Sequence, residues 1–589
     1  MNQVFARKRR IDRVRKSIKN SLTHCSKEQI VAVLLSLSMS TDKKGRPALL
    51  CWVLSFAFLT SAALAQDTLP TKPAEPVLAG EPANTAPKPK PTTPFLDGME
   101  LYHNENFAGA LAMFTEAEKP GGADSAVAYA WAARAALRLK RPEEAESAAT
   151  KAMELNKDLP TAQSAMGEVY YRQGRFHEAE DIYRKILLAK IPDPRANLGL
   201  ARIFRATANY KSAKVLIDNA HTLNGRDPDI FWEWLSTLSR KERLEALKVR
   251  LMAGGGDDPE EKAGMHAMAA VLEDRERKPE RGCKLVNKLE STEAPLELLM
   301  YDAKRLRGFG LSVKVNDKAA KLLIDTGASG ILINSKVAEK AGVERIVERD
   351  IRGIGDKGAS YGYVAFAPKI QIGDLQFENC YVDVVDRKSS LNEEGSIGMD
   401  VFEDFLVDLD FPNRKFRLSQ LPPFPDEASQ AVGLRSGRSG GPNLHNRYIP
   451  AEYDKFEKVF RIGHNLLVPT RLNNAPTKLF IIDTGAWDNT VSPAAAREAS
   501  KVYSNSDVKV KGLSGEVNKV YRTGDITLTF GHFQQKRHDL VAFDMTNISN
   551  SLGTEVSGTL GFAMLWLLEI KIDYRDNLVD FTYDANRFH

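Results

Sequence analysis

The fold is decided by two copies of one short design, KLLIDTGAS at residues 321–329 and KLFIIDTGAW at residues 478–487. Each copy is an apolar, β-favouring run that delivers an aspartate, Asp325 or Asp483, into a turn that contains glycine. A single Asp-Thr-Gly is expected by chance in roughly one chain in ten of this length. The argument therefore depends on whether the flanking sequence repeats as well.

The residues that follow each copy do repeat. Gly398 in Gly-Ser-Ile-Gly comes 73 residues after Asp325, and Gly561 in Gly-Thr-Leu-Gly comes 78 residues after Asp483. Twelve residues beyond each of these glycines stands an aspartate followed by an aromatic residue. The sequence therefore predicts an internal duplication of one β-rich lobe.

These motifs resemble those of retropepsin-like and pepsin-like aspartic proteases, with two Asp-Thr-Gly lobes in one chain. The resemblance implies that Asp325 and Asp483 form a catalytic dyad. Two carboxylates within hydrogen-bond distance cannot both ionise cheaply, so they share one proton. Such a pair acts as a base toward a water molecule and as an acid toward the scissile carbonyl. It needs no cofactor, no metal ion and no covalent intermediate.

The resemblance also implies roles for residues around the dyad. Two threonines are expected to lock the active-site turns together across a pseudo-twofold axis, and a later apolar-glycine segment is expected to pack beside each turn. The turn residues are Thr326, Gly327, Ala328, Thr484, Gly485 and Ala486, and the supporting segments are Ile397-Gly398 and Leu560-Gly561. The candidates for flaps over the substrate are Gly353, Ile354, Gly355, Gly512 and Leu513. One flap is typical of pepsins and two are typical of retroviral enzymes, and the sequence leaves this choice open.

Two departures from the family pattern affect the expected site. Trp487 stands where the first lobe has Ser329, so the second turn is flanked by a large ring. Ala328 and Ala486 replace the hydroxyl residue that pepsin-type lobes place after Asp-Thr-Gly. Without that donor the ionised dyad is less stabilised, so we expect its pKa values to be higher than in pepsin-like enzymes.

Two other motifs are rejected because their context is wrong. GIGDKG at residues 353–358 satisfies the dinucleotide-binding pattern GxGxxG, but a strand-like segment follows it instead of a helix. GRSGG at residues 437–441 satisfies the GxSxG pattern of serine hydrolases, but it lies in a polar stretch without the required strand and helix. We interpret the first as a hairpin and the second as part of a connector between the lobes.

Upstream of the lobes, small residues recur with a period of about 34 residues, which is typical of helix-turn-helix repeats. They are Ala110, Ala145, Ala179 and Ala213, preceded twelve residues earlier by Gly98, Ala133, Gly167 and Ala201. Small side chains allow paired helices to cross closely. The pattern resembles tetratricopeptide (TPR) repeats, most clearly in GEVYYRQGRFHEAEDIYRKIL at residues 167–187. Such an array either holds a protein partner or serves as a spacer or dimerisation scaffold.

The N-terminal residues are typical of an export leader. Basic residues at 43–46 precede an apolar run at 48–64, which ends in a small-residue cleavage pattern. We expect cleavage after Ala65. The alternative is an uncleaved anchor, because about 17 apolar residues are near the lower limit for spanning a bilayer. The pattern leaves open whether Met1 or Met39 is the start.

Composition excludes some other classes. Without the basic leader the chain has 70 basic and 74 acidic residues, so it lacks the basic surface that nucleic-acid binding requires. The four cysteines are too few for a disulfide scaffold, and we expect Cys283 and Cys380 to be free thiols. The sequence contains no HExxH, CxxC or calcium-loop motif, so a metal enzyme has little support.

The sequence thus predicts a multidomain protein in which an all-α TPR-like array precedes two all-β lobes of a bilobal acid-protease fold. The predicted segments are a leader at 1–65, a Pro-rich linker at 66–94, repeats at 95–225, a helical extension at 226–305, lobe 1 at 306–420, an inter-lobe linker at 421–450 and lobe 2 at 451–589. The predicted function is that of an exported, periplasmic or secreted aspartic endopeptidase that acts on protein or peptide substrates. An inactive peptide-binding scaffold and a self-cleaving enzyme are the alternatives.

Overall fold

The computed structural model describes residues 93–118, 125–255, 259–287, 289–302, 304–385, 394–425, 445–504 and 508–585. All of them belong to one compact unit that begins at Pro89. The predicted export segment, the linker up to residue 92 and the motif at 437–441 lie outside the described residues. Among the described residues, no helix has the length and the hydropathy that crossing a membrane requires.

The described part of the chain begins with pairs of helices. Six of the helices have proline in their first turn, where the missing N–H costs no intrahelical hydrogen bond. The helices are α1 (Pro94–His103), α2 (Phe107–Ala117), α3 (Ser125–Arg138), α4 (Pro142–Leu155), α5 (Pro160–Arg172), α6 (Phe176–Leu188), α7 (Pro194–Ala206), α8 (Tyr210–Asn224), α9 (Pro228–Thr237), α10 (Arg240–Met252) and α11 (Pro259–Arg277). The repeating small residues of the sequence are buried in this array.

The prediction of a helical extension up to residue 305 is wrong beyond Arg277. Strands β1 (Lys284–Leu285), β2 (Ser291–Pro295) and β3 (Glu297–Met300) follow α11. They pair with strands that lie later in the chain, at residues 375–385, 415–420 and 306–315 respectively. Two of these three strands pair with strands that are distant in sequence, so the residues around them gave little indication that they form strands.

Lobe 1 is built on a sheet in the order β1-β9-β6-β10-β5-β4-β8-β7, with β3 beside β4. Its further strands are β4 (Leu306–Val315), β5 (Lys318–Ile324), β6 (Ile331–Asn334), β7 (Glu344–Ile351), β8 (Ser360–Ile372), β9 (Leu375–Val385), β10 (Gly395–Ile397), β11 (Phe405–Asp410) and β12 (Lys415–Gln420). A short helix α12 (Ser335–Ala341) follows β6.

Lobe 2 repeats this plan in the order β18-β21-β24-β17-β25-β16-β15-β22-β23, with β14 beside β15. Its strands are β13 (Glu457–Lys458), β14 (Phe460–Ile462), β15 (Asn465–Leu472), β16 (Lys478–Asp483), β17 (Thr490–Val491), β18 (Val502–Ser504), β19 (Lys511–Gly512), β20 (Gly515–Glu516), β21 (Val520–Thr523), β22 (Ile526–Phe530), β23 (Phe533–Arg537), β24 (Val541–Phe543), β25 (Gly558–Gly561), β26 (Glu569–Asp573) and β27 (Leu578–Thr582). Its helices are α13 (Pro493–Ala499), α14 (Thr546–Leu552) and α15 (Phe562–Leu565).

The two lobes share a third sheet, in the order β13-β27-β26-β11-β12-β2. In its centre β11 of lobe 1 runs antiparallel to β26 of lobe 2, with Leu406 opposite Asp573 and Asp410 opposite Glu569. One hydrophobic core extends through both lobes, and Phe309 and Phe411 of lobe 1 pack there against Phe562 of lobe 2. The lobes are therefore held together by backbone pairing as well as by apolar burial.

A disulfide joins Cys283 and Cys380, so the expectation of free thiols is wrong. The cysteines are 97 residues apart in sequence. The pairing of β1 with β9 brings them together. Sequence spacing could not reveal this contact because it depends on sheet topology. In the chain-entropy picture, a cross-link that closes a loop of this length stabilises a fold by about 5 kcal/mol.

The helical array packs directly on lobe 2. Phe176 of α6 is 3% exposed and lies in one apolar cluster with Leu479 and Ile481 of β16. Its ring meets the ring of Phe460 edge to face, with 4.8 Å between the centroids. The Glu555 N–H also donates to the Arg172 carbonyl oxygen at 2.7 Å. The turn between α5 and α6 is thus part of the lobe 2 core.

The inner face of the array carries buried ion pairs. Arg195 lies within 2.8 Å of both Asp227 and Asp229 and within 3.3 Å of Glu168. A cavity of about 410 Å³ separates this face from residues 550–553 of lobe 2. Within the described residues, the charge of Arg195 is therefore balanced by the buried carboxylates around it.

We predict that Phe176→Ala destabilises the junction between the array and lobe 2 by about 3 kcal/mol, because it leaves a cavity in the shared core. Hydrogen exchange should accelerate in β15 and β16. The matched control is Phe107→Ala. Phe107 is the first residue of α2, as Phe176 is the first residue of α6, and its buried ring lies in an apolar cluster of the array. If the control accelerates exchange in β15 and β16 equally, Phe176 has no special role at the junction.

Candidate active site

Each Asp-Thr-Gly turn follows a strand that lies in the middle of its sheet. In lobe 1, β5 ends at Ile324 and runs parallel to β10, and the Asp325 N–H donates to the Ile397 carbonyl oxygen at 3.0 Å. In lobe 2, β16 carries Asp483 and runs parallel to β25, with Asp483 opposite Gly561. The structure thus places each predicted apolar-glycine segment beside the predicted turn of its own lobe.

Thr326 and Thr484 join the two lobes through four hydrogen bonds, two of them between the threonines themselves. The Thr326 N–H donates to the Thr484 hydroxyl at 3.1 Å, and the Thr484 N–H donates to the Thr326 hydroxyl at 3.0 Å. The Thr326 hydroxyl donates to the Ile482 carbonyl oxygen at 2.7 Å, and the Thr484 hydroxyl donates to that of Ile324 at 2.9 Å. Both threonines are buried, so these groups have no access to water as a substitute partner.

The two glycines of the turns allow the carboxylates of the opposite lobes to approach. A Cβ atom on Gly485 would lie 2.5 Å from Cγ of Asp325, and one on Gly327 would lie 2.9 Å from Cγ of Asp483. Real Cβ atoms essentially never come this close to another heavy atom. Each glycine therefore makes room for the aspartate of the other lobe.

Asp325 and Asp483 meet through a side-chain hydrogen bond. Burial raises the pKa of the Asp483 carboxyl above its ordinary value, and the Ala486 N–H, the Arg307 guanidinium and Asp325 oppose that rise. Asp483 is 9% exposed, whereas Asp325 is only half-buried and accepts the Gly327 N–H at 3.0 Å. Burial thus favours the protonated form of Asp483.

The two turns differ in the residue that follows Ala328 or Ala486. In lobe 1 the Ser329 hydroxyl donates to Asp400 at 2.8 Å, and the Gly330 N–H donates to the same carboxylate at 2.8 Å. In lobe 2 the Trp487 ring is half-exposed and lies 5.7 Å from the ring of Phe562, between centroids. One turn is thus held by a buried carboxylate, and the other is flanked by an aromatic surface.

Both predicted flap segments form turns, and their tips contact each other. Gly353, Ile354 and Gly355 lie between β7 and β8, and Leu513 lies between β19 and β20. The Gly353 N–H donates to the Ser514 hydroxyl at 3.1 Å, and the Ser514 N–H donates to the Ile354 carbonyl oxygen at 2.9 Å. The structure therefore has two flap-like hairpins, one from each lobe.

Two polar residues that the sequence reasoning missed also contact the turns. Arg307 Nη1 donates to the Gly485 carbonyl oxygen at 2.7 Å, and His464 Nε2 lies 3.0 Å from the Gly327 carbonyl oxygen. They stand 18 and 19 residues before the aspartates of their own lobes, so aligning the two copies would have revealed two basic side chains in similar places. The described residues contain no cluster of His, Cys, Asp and Glu that could hold a metal ion.

Comparison with known proteins supports the duplication. Residues 311–401 and 468–562 match the model of the aspartyl protease family, and residues 164–214 match that of the tetratricopeptide repeat. The two β lobes are aspartyl protease-like domains. The predicted fold class, a helical repeat array followed by two such domains, is confirmed.

A comparison with solved structures found a partial match. The crystal structure of a retropepsin-like aspartic protease from Rickettsia conorii aligns with 23% of this chain and 96% of its own chain, at 19% sequence identity and a TM-score of 0.17. No curated protein sequence matches the chain.

We predict that Thr484→Val lowers the free energy of unfolding by about 3 kcal/mol, because it removes two hydrogen bonds and leaves buried partners unpaired. Thr484→Ser keeps the hydroxyl and should retain most of the stability. Denaturation in urea measures both variants. Equal loss in the two would mean that packing of the methyl group, and not the hydroxyl, joins the turns.

Proposed function

We propose that the protein is an aspartic endopeptidase that hydrolyses peptide bonds with the Asp325/Asp483 pair. The observation on which this proposal rests is that the two carboxylates, one from each lobe, meet beside the hydrogen bonds between the buried Thr326 and Thr484. The two intact Asp-Thr-Gly turns and the family match of both lobes support it further.

The burial of the two aspartates supports different roles for them. Asp325, which is half-buried, is the ionised base that takes a proton from a water molecule while the water oxygen attacks the scissile carbonyl carbon. Asp483 is the acid that gives its proton to the carbonyl oxygen. Collapse of the tetrahedral intermediate then breaks the C–N bond as Asp325 gives its proton to the leaving amine and Asp483 takes back a hydroxyl proton of the intermediate, so that the pair again holds one proton. The two flap-like hairpins are proposed to close over the substrate.

The other parts of the chain support export and a structural role for the array. The apolar segment at 48–64 is typical of an export signal, and a disulfide such as Cys283–Cys380 persists in oxidising compartments outside the cytosol. Tetratricopeptide repeats suggest protein interaction. Because Phe176 lies in the lobe 2 core, we propose that the array also buttresses the protease-like lobes.

We predict that Asp325→Asn and Asp483→Asn each reduce turnover of a peptide library by several orders of magnitude without unfolding the protein. Each carboxylate must take a different protonation state, which an amide cannot do. Asp317→Asn and Asp525→Asn change exposed aspartates in the same two lobes and should leave turnover unchanged. Mass spectrometry of the digested library is the measurement, and circular dichroism checks the fold. Full activity in either dyad variant would contradict the assignment.

An inactive peptide-binding scaffold is the alternative outcome of this experiment. A transition-state mimic of the statine type separates the two, because tight binding is expected only where a proton-sharing dyad exists. A scaffold would bind ordinary peptides and the mimic with similar affinity. The asparagine substitutions would then leave the affinity for the mimic no more reduced than the affinity for ordinary peptides.

The raised pKa of Asp483 predicts a specific dependence of stability on pH. The folded state retains this proton at a pH where the unfolded chain, with an ordinary aspartate pKa near 3.9, has released it. The stabilising contribution is therefore fully present below pH ~3.9 and is lost as the pH rises through the folded-state pKa. Thermal denaturation should show that Asp483→Asn flattens this loss relative to wild type. Parallel curves for the two proteins would contradict a raised pKa.

The same shift predicts that activity survives at mildly acidic to near-neutral pH. The dyad must hold one proton, and burial of Asp483 retains that proton to higher pH. The profile of kcat/KM against pH on a peptide substrate reports the free-enzyme dyad. An optimum confined to strongly acidic pH would show that other donors stabilise the ionised pair.

A further inference from the structure

Each active-site turn is held by a basic side chain that comes from the other lobe. Arg307, in β4 of lobe 1, donates to the Gly485 carbonyl oxygen in lobe 2 at 2.7 Å. His464, directly before β15 of lobe 2, places Nε2 at 3.0 Å from the Gly327 carbonyl oxygen in lobe 1. The two contacts are related by the same pseudo-twofold axis as the hydrogen bonds between Thr326 and Thr484. They are therefore part of the internal duplication of the lobes.

In lobe 2 this contact reaches the aspartate through one peptide group. The Gly485 carbonyl and the Ala486 N–H belong to the same planar unit, so the direction of one sets the direction of the other. The Ala486 N–H donates to Asp483 Oδ1 at 2.9 Å. A guanidinium on the oxygen of this unit also polarises its N–H, which strengthens the bond to a carboxylate.

The two basic residues differ in charge. Arg307 is permanently protonated, and its charge lowers the pKa of Asp483 against the effect of burial. Burial lowers the pKa of His464, although Asp400 and Asp483 raise it and Arg461 lowers it further. His464 is therefore mostly neutral near pH 7, so one turn receives a charge and the other only a hydrogen bond.

We propose that Arg307 is a positioning residue for Asp483. Its guanidinium orients the Gly485–Ala486 peptide so that the amide meets the carboxylate, and it supplies a positive charge that His464 lacks at neutral pH. This inference rests on the proposed function and deepens it. Burial has the largest effect on the pKa of Asp483, and the Ala486 N–H, Arg307 and Asp325 lower that pKa. His464 also faces Asp483, because Asp483 raises the pKa of His464.

The test compares Arg307→Met, Arg307→Lys and His464→Gln in the full chain. Methionine removes the charge and the donors, lysine keeps the charge with a different donor geometry, and glutamine keeps a neutral donor. One readout is the pH profile of kcat/KM on a peptide. The other is ¹³C NMR titration of the aspartate carboxyl carbons, assigned with Asp325→Asn and Asp483→Asn, which needs no turnover.

We expect Arg307→Met to raise the upper apparent pKa of the dyad, at which Asp483 loses its proton, by about one unit and to lower kcat more than it raises KM. Arg307→Lys should restore the apparent pKa and only part of kcat. His464→Gln should lower kcat without moving the apparent pKa.

Three results would overturn the inference. They are an unmoved dyad titration in Arg307→Met, a loss of activity in that variant that is the same at every pH, or an equal pKa shift in His464→Gln. If Arg307→Met does not fold, Arg307→Lys decides, because a shifted titration with the charge retained contradicts the proposal. If wild type cleaves no peptide but the NMR shift appears, the proposed function fails and the role of Arg307 in setting the dyad stands.

Discussion

The reciprocal hydrogen bonds between Thr326 and Thr484 are the constraint on which the site depends. Each threonine offers an N–H and a hydroxyl to the other lobe, and burial denies all of these groups an alternative partner. The bonds therefore fix the separation of the two turns to within the tolerance of a hydrogen bond. The glycines beside them then let each carboxylate reach across, and the proposed sharing of one proton depends on that short distance.

A duplication within one chain permits an asymmetry that two identical subunits cannot have. In a symmetric dimer every change appears twice, whereas here each lobe is encoded separately. Lobe 1 supplies Arg307 and the buried Ser329–Asp400 contact, and lobe 2 supplies His464 and the half-exposed Trp487. The two aspartates therefore experience different charge and burial, which is the condition for one to act as base and the other as acid.

The helical array is coupled to the protease-like lobes by burial as well as by chain connection. Phe176 occupies a position that belongs to the repeat pattern, yet its ring completes the core of lobe 2. The arginines and carboxylates of the inner face of the array are paired with one another. A segment that sequence patterns identify as an interaction module thus contributes directly to the stability of its neighbour.

The sequence by itself determined the features that depend on short residue patterns or on internal repeats. These are the duplicated lobes, the aspartates in their turns, the threonines beside them and the helical repeats. Each depends on residue type and spacing along the chain, because strand, turn and helix-pair signals extend over a few tens of residues at most. Helical patterning after residue 277 was misleading because the strands there gain their stability from partners in other parts of the chain.

Only the tertiary structure decided which distant groups meet. It joined Cys283 to Cys380, paired the two flap tips and brought Arg307 and His464 to the turns of the opposite lobes. It also decided that Asp483 is more buried than Asp325. The physical reason is common to all of these contacts: they depend on sheet topology and on burial, which sum interactions from the whole chain. Even where residues stand at repeated positions, as Arg307 and His464 do, the sequence does not show which groups they touch.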